Sequence, residues 1–175
     1  MAKSAKGSAF EREICTKLSL WWTQDLPEPR TDIFWRTSGS GARAKVRGRK
    51  GKQTHGQHGD ICAIDPIGQP LIDLLTIELK RGYSKHTITD LLDKPEGAAK
   101  QVYEKWIEQA EESHVHAGSK SWLLIVKRDR RKELIISPLF NQAFTRFWLK
   151  PNVLGIVTLQ DFLIDWTPED IRENL

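Results

Sequence analysis

The sequence predicts a mixed α/β fold in which helices flank one central sheet. Apolar residues recur every three to four positions near the N-terminus, and several short β-branched runs follow them. A second amphipathic segment then precedes another apolar run at 121–127. Helix, strands, helix and strand in this order give a mixed sheet covered by helices. A chain of 175 residues is long enough to bury a core as one domain, 1–175.

The first helix is predicted from about Ser8 to Trp22, because its apolar residues form one stripe. The stripe consists of Phe10, Ile14, Leu18 and Trp21. Pro27 and Pro29 end this helical pattern. A helix therefore opens the fold.

Three strands are expected next. Residues 33–36 are apolar and aromatic, which favours a first strand. Residues 59–64 and 74–77 are predicted to pair as a hairpin, with 65–68 as the turn between them. This pairing predicts that side chains at the ends of the two strands lie close together.

The second half is predicted to complete the sheet and to add an extension. The core is expected at about 6–137 and a C-terminal α/β extension at about 138–175. The expected elements are a short helix within 87–92, a long helix at about 96–113, strands at 121–127 and 132–137, a helix from Pro138 to Phe144 or Phe147, a strand at 153–158 and acidic helical segments after it.

Composition favours a soluble intracellular protein. Hydrophobic residues make up 39% of the chain, which excludes a disordered protein. Cys15 and Cys62 lack a Cys-x-x-Cys spacing, and the sequence contains neither a signal-like segment nor an 18-residue apolar stretch. We therefore expect reduced thiols, no membrane partner and a cytoplasmic location, in a prokaryote or a phage-infected host cell.

A basic segment runs from Arg36 to His58, and no acidic residue lies between Ile33 and Gly59. Its seven positive charges exceed the net charge of the whole chain, +4. They belong to Arg36, Arg43, Lys45, Arg47, Arg49, Lys50 and Lys52. Clustering of this kind is typical of a surface that binds a polyanion such as DNA. The alternative is a solvated linker or a localisation signal.

Three residues next to this segment predict a metal-dependent nuclease site. Glu78 and Lys80 are two positions apart at the end of a predicted strand, so their side chains share one face. The expected hairpin brings Asp60 near Glu78. Two neighbouring carboxylates repel each other unless a hard cation such as Mg²⁺ neutralises them. The alternative for Glu78 and Lys80 is an exposed ion pair on a strand.

These residues resemble the PD-(D/E)xK nuclease superfamily, and within it the archaeal-type and phage Holliday junction resolvases. The resemblance covers roughly residues 6–127. It rests on Lys6–Glu13, Arg36–Ala42, Gly59–Ile61 and Ile77–Lys80, which occur in the family's order. It implies a restriction-endonuclease-like αβββαβ core.

The resemblance also implies site residues. Glu11, Asp60 and Glu78 would serve the metal, and Lys80 would orient the attacking water and stabilise the scissile phosphate. Ser40 in the basic segment and Gln109 in the long helix are the remaining implied catalytic residues. Their rivals are Ser38 and Gln101, and Glu13 is similarly a rival for Glu11. Arg81, next to Lys80, joins the basic segment as a DNA-binding residue.

The implied activity is Mg²⁺-dependent cleavage of branched DNA, with Mn²⁺ as a substitute. Resolving a four-way junction needs two symmetric incisions, so a homodimer is expected. Leu139, Phe140, Phe144, Phe147 and Trp148 are one candidate interface, and core packing is the equal alternative. The alternative functions are a less structure-selective nuclease of the superfamily and a DNA-binding module without catalysis.

Seven tryptophans could stack on bases, but the spacing of Trp21, Trp106 and Trp122 favours core positions. Trp35 stands beside Arg36 at the start of the basic segment. Its role is left open between core packing and contact with DNA.

Overall fold

A computed structural model describes residues 2–37, 58–142, 145–149 and 152–175. The helices are α1 (Ala2–Trp22), α2 (Gln69–Leu74), α3 (Thr89–Leu92), α4 (Val102–Ala117), α5 (Leu159–Asp165) and α6 (Pro168–Asn174). The strands are β1 (Phe34–Arg36), β2 (Ile61–Ala63), β3 (Leu75–Arg81), β4 (Ser121–Lys127), β5 (Glu133–Ser137), β6 (Arg146–Leu149) and β7 (Asn152–Thr158). The predicted mixed α/β class, with helices flanking a mixed sheet in a restriction-endonuclease-like core, is confirmed.

The main sheet has five strands in the order β3-β4-β5-β7-β6. β3 and β4 run parallel, with Lys80 opposite Val126, and the other neighbouring pairs are antiparallel. The long helix α4 connects the two parallel strands, as a parallel crossover requires. β3 therefore lies at the edge of this sheet, and its open side is free to receive the second ladder.

The second ladder consists of β1 and β2, with Trp35 opposite Cys62. The predicted hairpin between 59–64 and 74–77 is wrong in its pairing, because β2 pairs with β1 and not with β3. A backbone hydrogen bond still ties the two ladders together: Asp60 N donates to Ile77 O at 2.8 Å. The expected proximity of residues 60 and 78 is therefore preserved by a different route.

The segment between β2 and β3 is helical where a turn was expected. A 3₁₀ helix spans Pro66–Gly68, and α2 follows directly with Pro70 in its first turn. Proline is well placed there because the first helical N–H groups have no partner within the helix. The sequence prediction treated this proline-containing stretch as a simple turn.

The predicted helix from Pro138 through Phe144 or Phe147 is also wrong. The 3₁₀ helix that begins there ends at Phe140, and β6 starts at Arg146. A Cβ built on Gly155 would lie 1.8 Å from Phe140 O, so β7 passes directly against this turn. Phe140 is buried against Phe162 and Trp166. Packing of the extension therefore decided the conformation of this segment.

Two apolar clusters lie on opposite faces of the main sheet. α1 packs on the face that carries Leu75, Ile77 and Leu79. α4 packs on the other face, against Trp122 and Leu124. Trp21, Trp106 and Trp122 are all buried, which confirms their predicted core positions. In the parts of the chain that the structure describes, no helix has the length and apolarity to cross a membrane.

Candidate active site

Glu78 and Lys80 face α4 because side chains alternate along β3. Leu79, between them, joins the apolar cluster on the α1 face. Glu78 is only 3% exposed, and the Lys80 side chain is 14% exposed. The predicted side-by-side placement is therefore present, but it is largely buried and is not an exposed surface ion pair. Burying a carboxylate is costly unless charges and hydrogen bonds compensate for the lost water.

Three side chains supply that compensation. Gln109 Nε2 donates to Glu78 Oε2 at 2.8 Å, and Lys80 Nζ donates to the same oxygen at 3.4 Å. Ser113 Oγ donates to Glu78 Oε1 at 2.9 Å. Lys80 Nζ also donates to Gln109 Oε1 at 3.1 Å. The structure thus brings Glu78, Lys80 and Gln109 into one hydrogen-bonded group.

Ser113 was not identified from the sequence. It stands four residues after Gln109 on α4, so the two side chains lie on the same side of the helix. That spacing is a usable signal, but only after the register of α4 against β3 is known. Gln101, the alternative to Gln109, lies elsewhere: it caps the start of α4 together with Glu104.

Asp60 reaches the site through backbone contacts. Leu79 N donates to Asp60 Oδ2 at 2.8 Å, which places this carboxylate beside the residue between Glu78 and Lys80. Gly59 precedes it with φ +75°, and a Cβ there would lie 2.7 Å from Ile77 O. Only glycine fits both the left-handed backbone and this close approach. Gly59 therefore lets β2 approach the edge of β3.

Burial raises the pKa of Asp60, while the Leu79 N–H and the Lys80 charge act in the opposite direction. Burial also raises the pKa of Glu78, and repulsion from Asp60 raises it further; Lys80 and Ser113 partly offset these effects. Burial away from water is the largest cause of both pKa shifts, and repulsion between the two carboxylates adds to the shift of Glu78. A cation bound between the two carboxylates would favour their charged forms and so lower both pKa values.

Asp60 and Glu78 suit a divalent metal by their chemistry. Carboxylate oxygens are hard ligands, and Mg²⁺ needs only one or two of them when phosphate and water complete its shell. Among the described residues, no three His, Cys, Asp or Glu side chains converge as a metal site. Asp60 and Glu78 therefore remain a pair of candidate carboxylate ligands.

Glu11 lies on α1 and pairs with Arg36 at 3.4 Å. Arg36 also donates to Ser8 Oγ. Glu13, the rival for Glu11, pairs with Lys17 at 2.7 Å. The structure thus joins Glu11 to the first residue of the basic segment, and the metal role of Glu11 stays a prediction.

Arg81 ends β3 on the face opposite Lys80. Its guanidinium lies over the Phe10 ring at 5.6 Å, and its buried Nε has no hydrogen-bond partner among the described residues. Trp35 is 46% exposed, so it is not a core residue. The remaining predicted residues lie outside the described part of the chain: Ser38, Ser40, Arg43, Lys45, Arg47, Arg49, Lys50 and Lys52.

The profile of the family described as "phage putative PDDEXK endonuclease" matches residues 2–162. The chain belongs to this family. The predicted membership of the PD-(D/E)xK superfamily is thereby confirmed, and the family's name indicates an endonuclease. Comparison with curated proteins and with solved structures found no match. Nucleases of this superfamily generally use divalent metals, which agrees with the paired carboxylates of Asp60 and Glu78.

Proposed function

We propose that the chain is a Mg²⁺-dependent, structure-selective DNA endonuclease that resolves four-way junctions by paired phosphodiester cuts. The observation that carries the catalytic part is the position of Asp60. Its carboxylate accepts the N–H of Leu79, and Glu78 and Lys80 flank that residue on β3. Two carboxylates and one ammonium at the edge of a sheet are a suitable set for phosphodiester hydrolysis.

Asp60 and Glu78 are the residues that would hold the divalent ion. A bound Mg²⁺ would polarise the phosphate and favour the attack of water on phosphorus, and Mn²⁺ is expected to substitute for it. Glu78 Oε2 is held by Gln109 and Lys80, so this carboxylate has a fixed orientation before substrate arrives. Orientation of this kind removes reorganisation that the reaction would otherwise require.

Lys80 stabilises the negative charge that develops on the scissile phosphate. Gln109 Oε1 accepts from Lys80 Nζ at 3.1 Å, which aims the ammonium along the same face as Glu78. Because the Lys80 side chain is largely buried, water screens its charge less than it would at the surface. Arg36 is proposed to exchange its ion pair with Glu11 for a contact with a DNA phosphate. Glu11 would then be available as a further acidic residue of the site.

The junction preference is supported by the sequence resemblance to Holliday junction resolvases and by the basic segment that ends next to Asp60. Two symmetric incisions require two active sites, so a two-fold homodimer is proposed. Phe140 is buried within the chain, and Leu139 packs against the same core. These two residues are therefore removed from the candidate interface.

Cleavage of labelled four-way junctions and of linear duplexes with the same sequences tests the substrate. Paired nicks in opposite strands of the junction, with little cleavage of the duplex, are expected in Mg²⁺ and not in excess chelator. Equal cleavage of both substrates would instead support a less structure-selective nuclease. Sedimentation of the protein with and without junction DNA tests the dimer.

Substitution of Glu78 tests whether this site catalyses the reaction. Glu78→Ala is expected to abolish cutting while DNA binding in chelator is retained. Glu112→Gln is the matched control, because Glu112 is an exposed carboxylate on α4 next to Ser113. Persistent cleavage by purified Glu78→Ala contradicts the assignment, and binding without cleavage by the wild-type protein supports a non-catalytic DNA-binding module.

A further inference from the structure

Two loops leave the sheet side by side at the end where β3 and β4 finish. Lys80 lies opposite Val126, and Arg81 lies opposite Lys127. Gly82 N then donates to Lys127 O at 3.0 Å, so the chain after β3 stays beside the turn after β4. This turn connects β4 to β5 and begins at Arg128. It starts two residues beyond Val126, on the order of 7 Å along the strand.

Positive side chains concentrate on these two loops. They are Lys85 after β3 and Arg128, Arg130, Arg131 and Lys132 in the turn, and together they are called the strand-end surface below. Asp129 is the acidic residue of the turn, which leaves a net charge of +4 for the group. Lys85, Arg130, Arg131 and Lys132 are exposed, and Arg128 is partly buried.

The strand-end surface keeps an excess of positive charge within the described chain, although Arg128 lies near enough to Asp90 to help lower the pKa of that carboxyl. None of the five forms an ion pair with a described residue, whereas Lys127, just before the turn, pairs with Glu133 at 2.5 Å. Exposed cations elsewhere are often paired, as Lys100 is with Glu108 and Arg172 with Glu169. An excess of like charges that few acidic residues offset favours a polyanionic partner.

The same two loops border a cavity of about 460 Å³. Its lining includes Arg81, Lys85, His86 and Asp129. Arg81 brings a buried Nε without a hydrogen-bond partner among the described residues. That nitrogen is enclosed by the protein, and Arg81, the last residue of β3, links the cavity to the strand that carries Glu78 and Lys80.

Each of these two loops contains a non-glycine residue with a positive φ, which is rare for such residues. Tyr83 (φ 53°) and Arg130 (φ 61°) are the described non-glycine residues with positive φ, and one lies in each loop. A side chain in this region is strained, and glycine would adopt it without strain. Strained residues of this kind concentrate at functional sites. At position 130, glycine would therefore be more favourable for stability than arginine.

We propose that the strand-end surface is a DNA-binding site in addition to the basic segment 36–58, and that the strand-end surface holds the phosphate backbone next to the cleaved phosphate. The inference rests on the proposed function for the identity of the polyanion. At 3.4 Å of rise per nucleotide in one strand, the separation from Val126 to the turn corresponds to about two nucleotides. A DNA strand that has a phosphate at Lys80 and runs toward this end of the sheet would therefore reach the surface about two nucleotides away.

Binding measured without cleavage provides the test. Fluorescein-labelled four-way junctions and linear duplexes are titrated with the protein in excess chelator over a range of salt concentrations. The test variant is Arg131→Gln/Lys132→Gln. The matched control is Lys120→Gln/Arg172→Gln, which also removes two positive charges. Lys120 lies just before the first residue of β4, and Arg172 stacks on Trp22, the last residue of α1.

Two lost phosphate contacts are expected to reduce the log-log salt slope by about 1.8 on duplex DNA and to weaken binding at low salt. The control should bind as the wild-type protein does. Arg130→Gly adds a readout that a structural role would not give, because it should keep or raise the melting temperature while DNA binding weakens. Arg130→Lys should restore most of the binding.

Wild-type affinity and salt slope in both Arg131→Gln/Lys132→Gln and Arg130→Gly would overturn the proposal, as would an absence of DNA binding by the wild-type protein. Cleavage is assayed separately. Normal cleavage with unchanged binding in the variants would contradict the proposed DNA-binding surface and would support the proposed nuclease activity. If the wild-type protein does not cleave DNA but the variants bind it more weakly, the DNA-binding surface is supported and the nuclease activity is contradicted.

Discussion

Gln109 donates a hydrogen bond from Nε2 to Glu78 Oε2 at 2.8 Å, across the interface between α4 and β3. The other end of the same amide accepts from Lys80 Nζ at 3.1 Å. One neutral side chain therefore fixes both a carboxylate and an ammonium of the candidate site. A residue in this position acts on catalysis through the groups that it orients.

Replacing Gln109 by Ala should reduce cleavage about 10- to 100-fold, the usual effect of losing an orienting partner. Gln101→Ala is the control on the same helix, since Gln101 caps α4 and does not contact Glu78. It should lower the free energy of unfolding by about 1 kcal/mol and leave the cleavage rate unchanged. Single-turnover cleavage and urea unfolding measure the two effects. Equal cleavage rates for both variants would remove Gln109 from the site.

Gly59→Ala should displace Asp60 from β3. Its Cβ would lie 2.7 Å from Ile77 O, and the bond from Asp60 N to that oxygen keeps β2 in place. Gly97→Ala is a matched control, because Gly97 has nearly the same φ, +76°, and no atom within 4 Å of a built Cβ. Both variants carry the left-handed strain of about 1 kcal/mol, but only Gly59→Ala should also lose cleavage. Unfolding and cleavage assays separate strain from displacement.

The metal-free protein should lose stability as pH rises above the ordinary carboxyl range. The pKa values of Asp60 and Glu78 are raised in the folded state, so between the unfolded and folded pKa values the folded protein binds more protons than the unfolded chain. Under the linkage relation, the free energy of unfolding then falls with increasing pH. Asp60→Asn removes the repulsion and should stabilise the metal-free protein at neutral pH by about 1 kcal/mol. Urea titrations in chelator at several pH values test this, and a wild-type curve parallel to that of Asp60→Asn would contradict it.

Mg²⁺ should raise the melting temperature of the wild-type protein at neutral pH, because an ion that binds only the folded state stabilises it by mass action. Asp60→Asn and Glu78→Gln should each lose most of this shift, since the proposed ligand set has two carboxylates. Ca²⁺ and Mn²⁺ serve as comparison ions in the same thermal scans. An unchanged Mg²⁺ shift in both variants would show that the ion binds elsewhere.

Much of the site was predictable from the sequence because it depends on local spacing. Period-two alternation alone places Glu78 and Lys80 on one face of β3 and Leu79 on the other. The spacing of apolar residues likewise predicts α1 and the buried tryptophans. The sequence resemblance selected Gln109, which the structure brings to Glu78, while Gln101 became a cap.

What the sequence by itself determined is thus most of the helices and strands of the core, the faces that Glu78, Leu79 and Lys80 take on β3, and the membership of a nuclease family. Tertiary structure alone decided that β2 pairs with β1, that Asp60 reaches the site through Leu79 N, and that Ser113 completes the shell of Glu78. It also made Phe140 a core residue beneath β7, and it ended the predicted helix from Pro138 after one 3₁₀ turn, with β6 beginning at Arg146. The physical reason is the range of the interactions. Alternation and helical periodicity act within a few residues, whereas strand pairing and the partners of a buried carboxylate depend on which distant segments pack together.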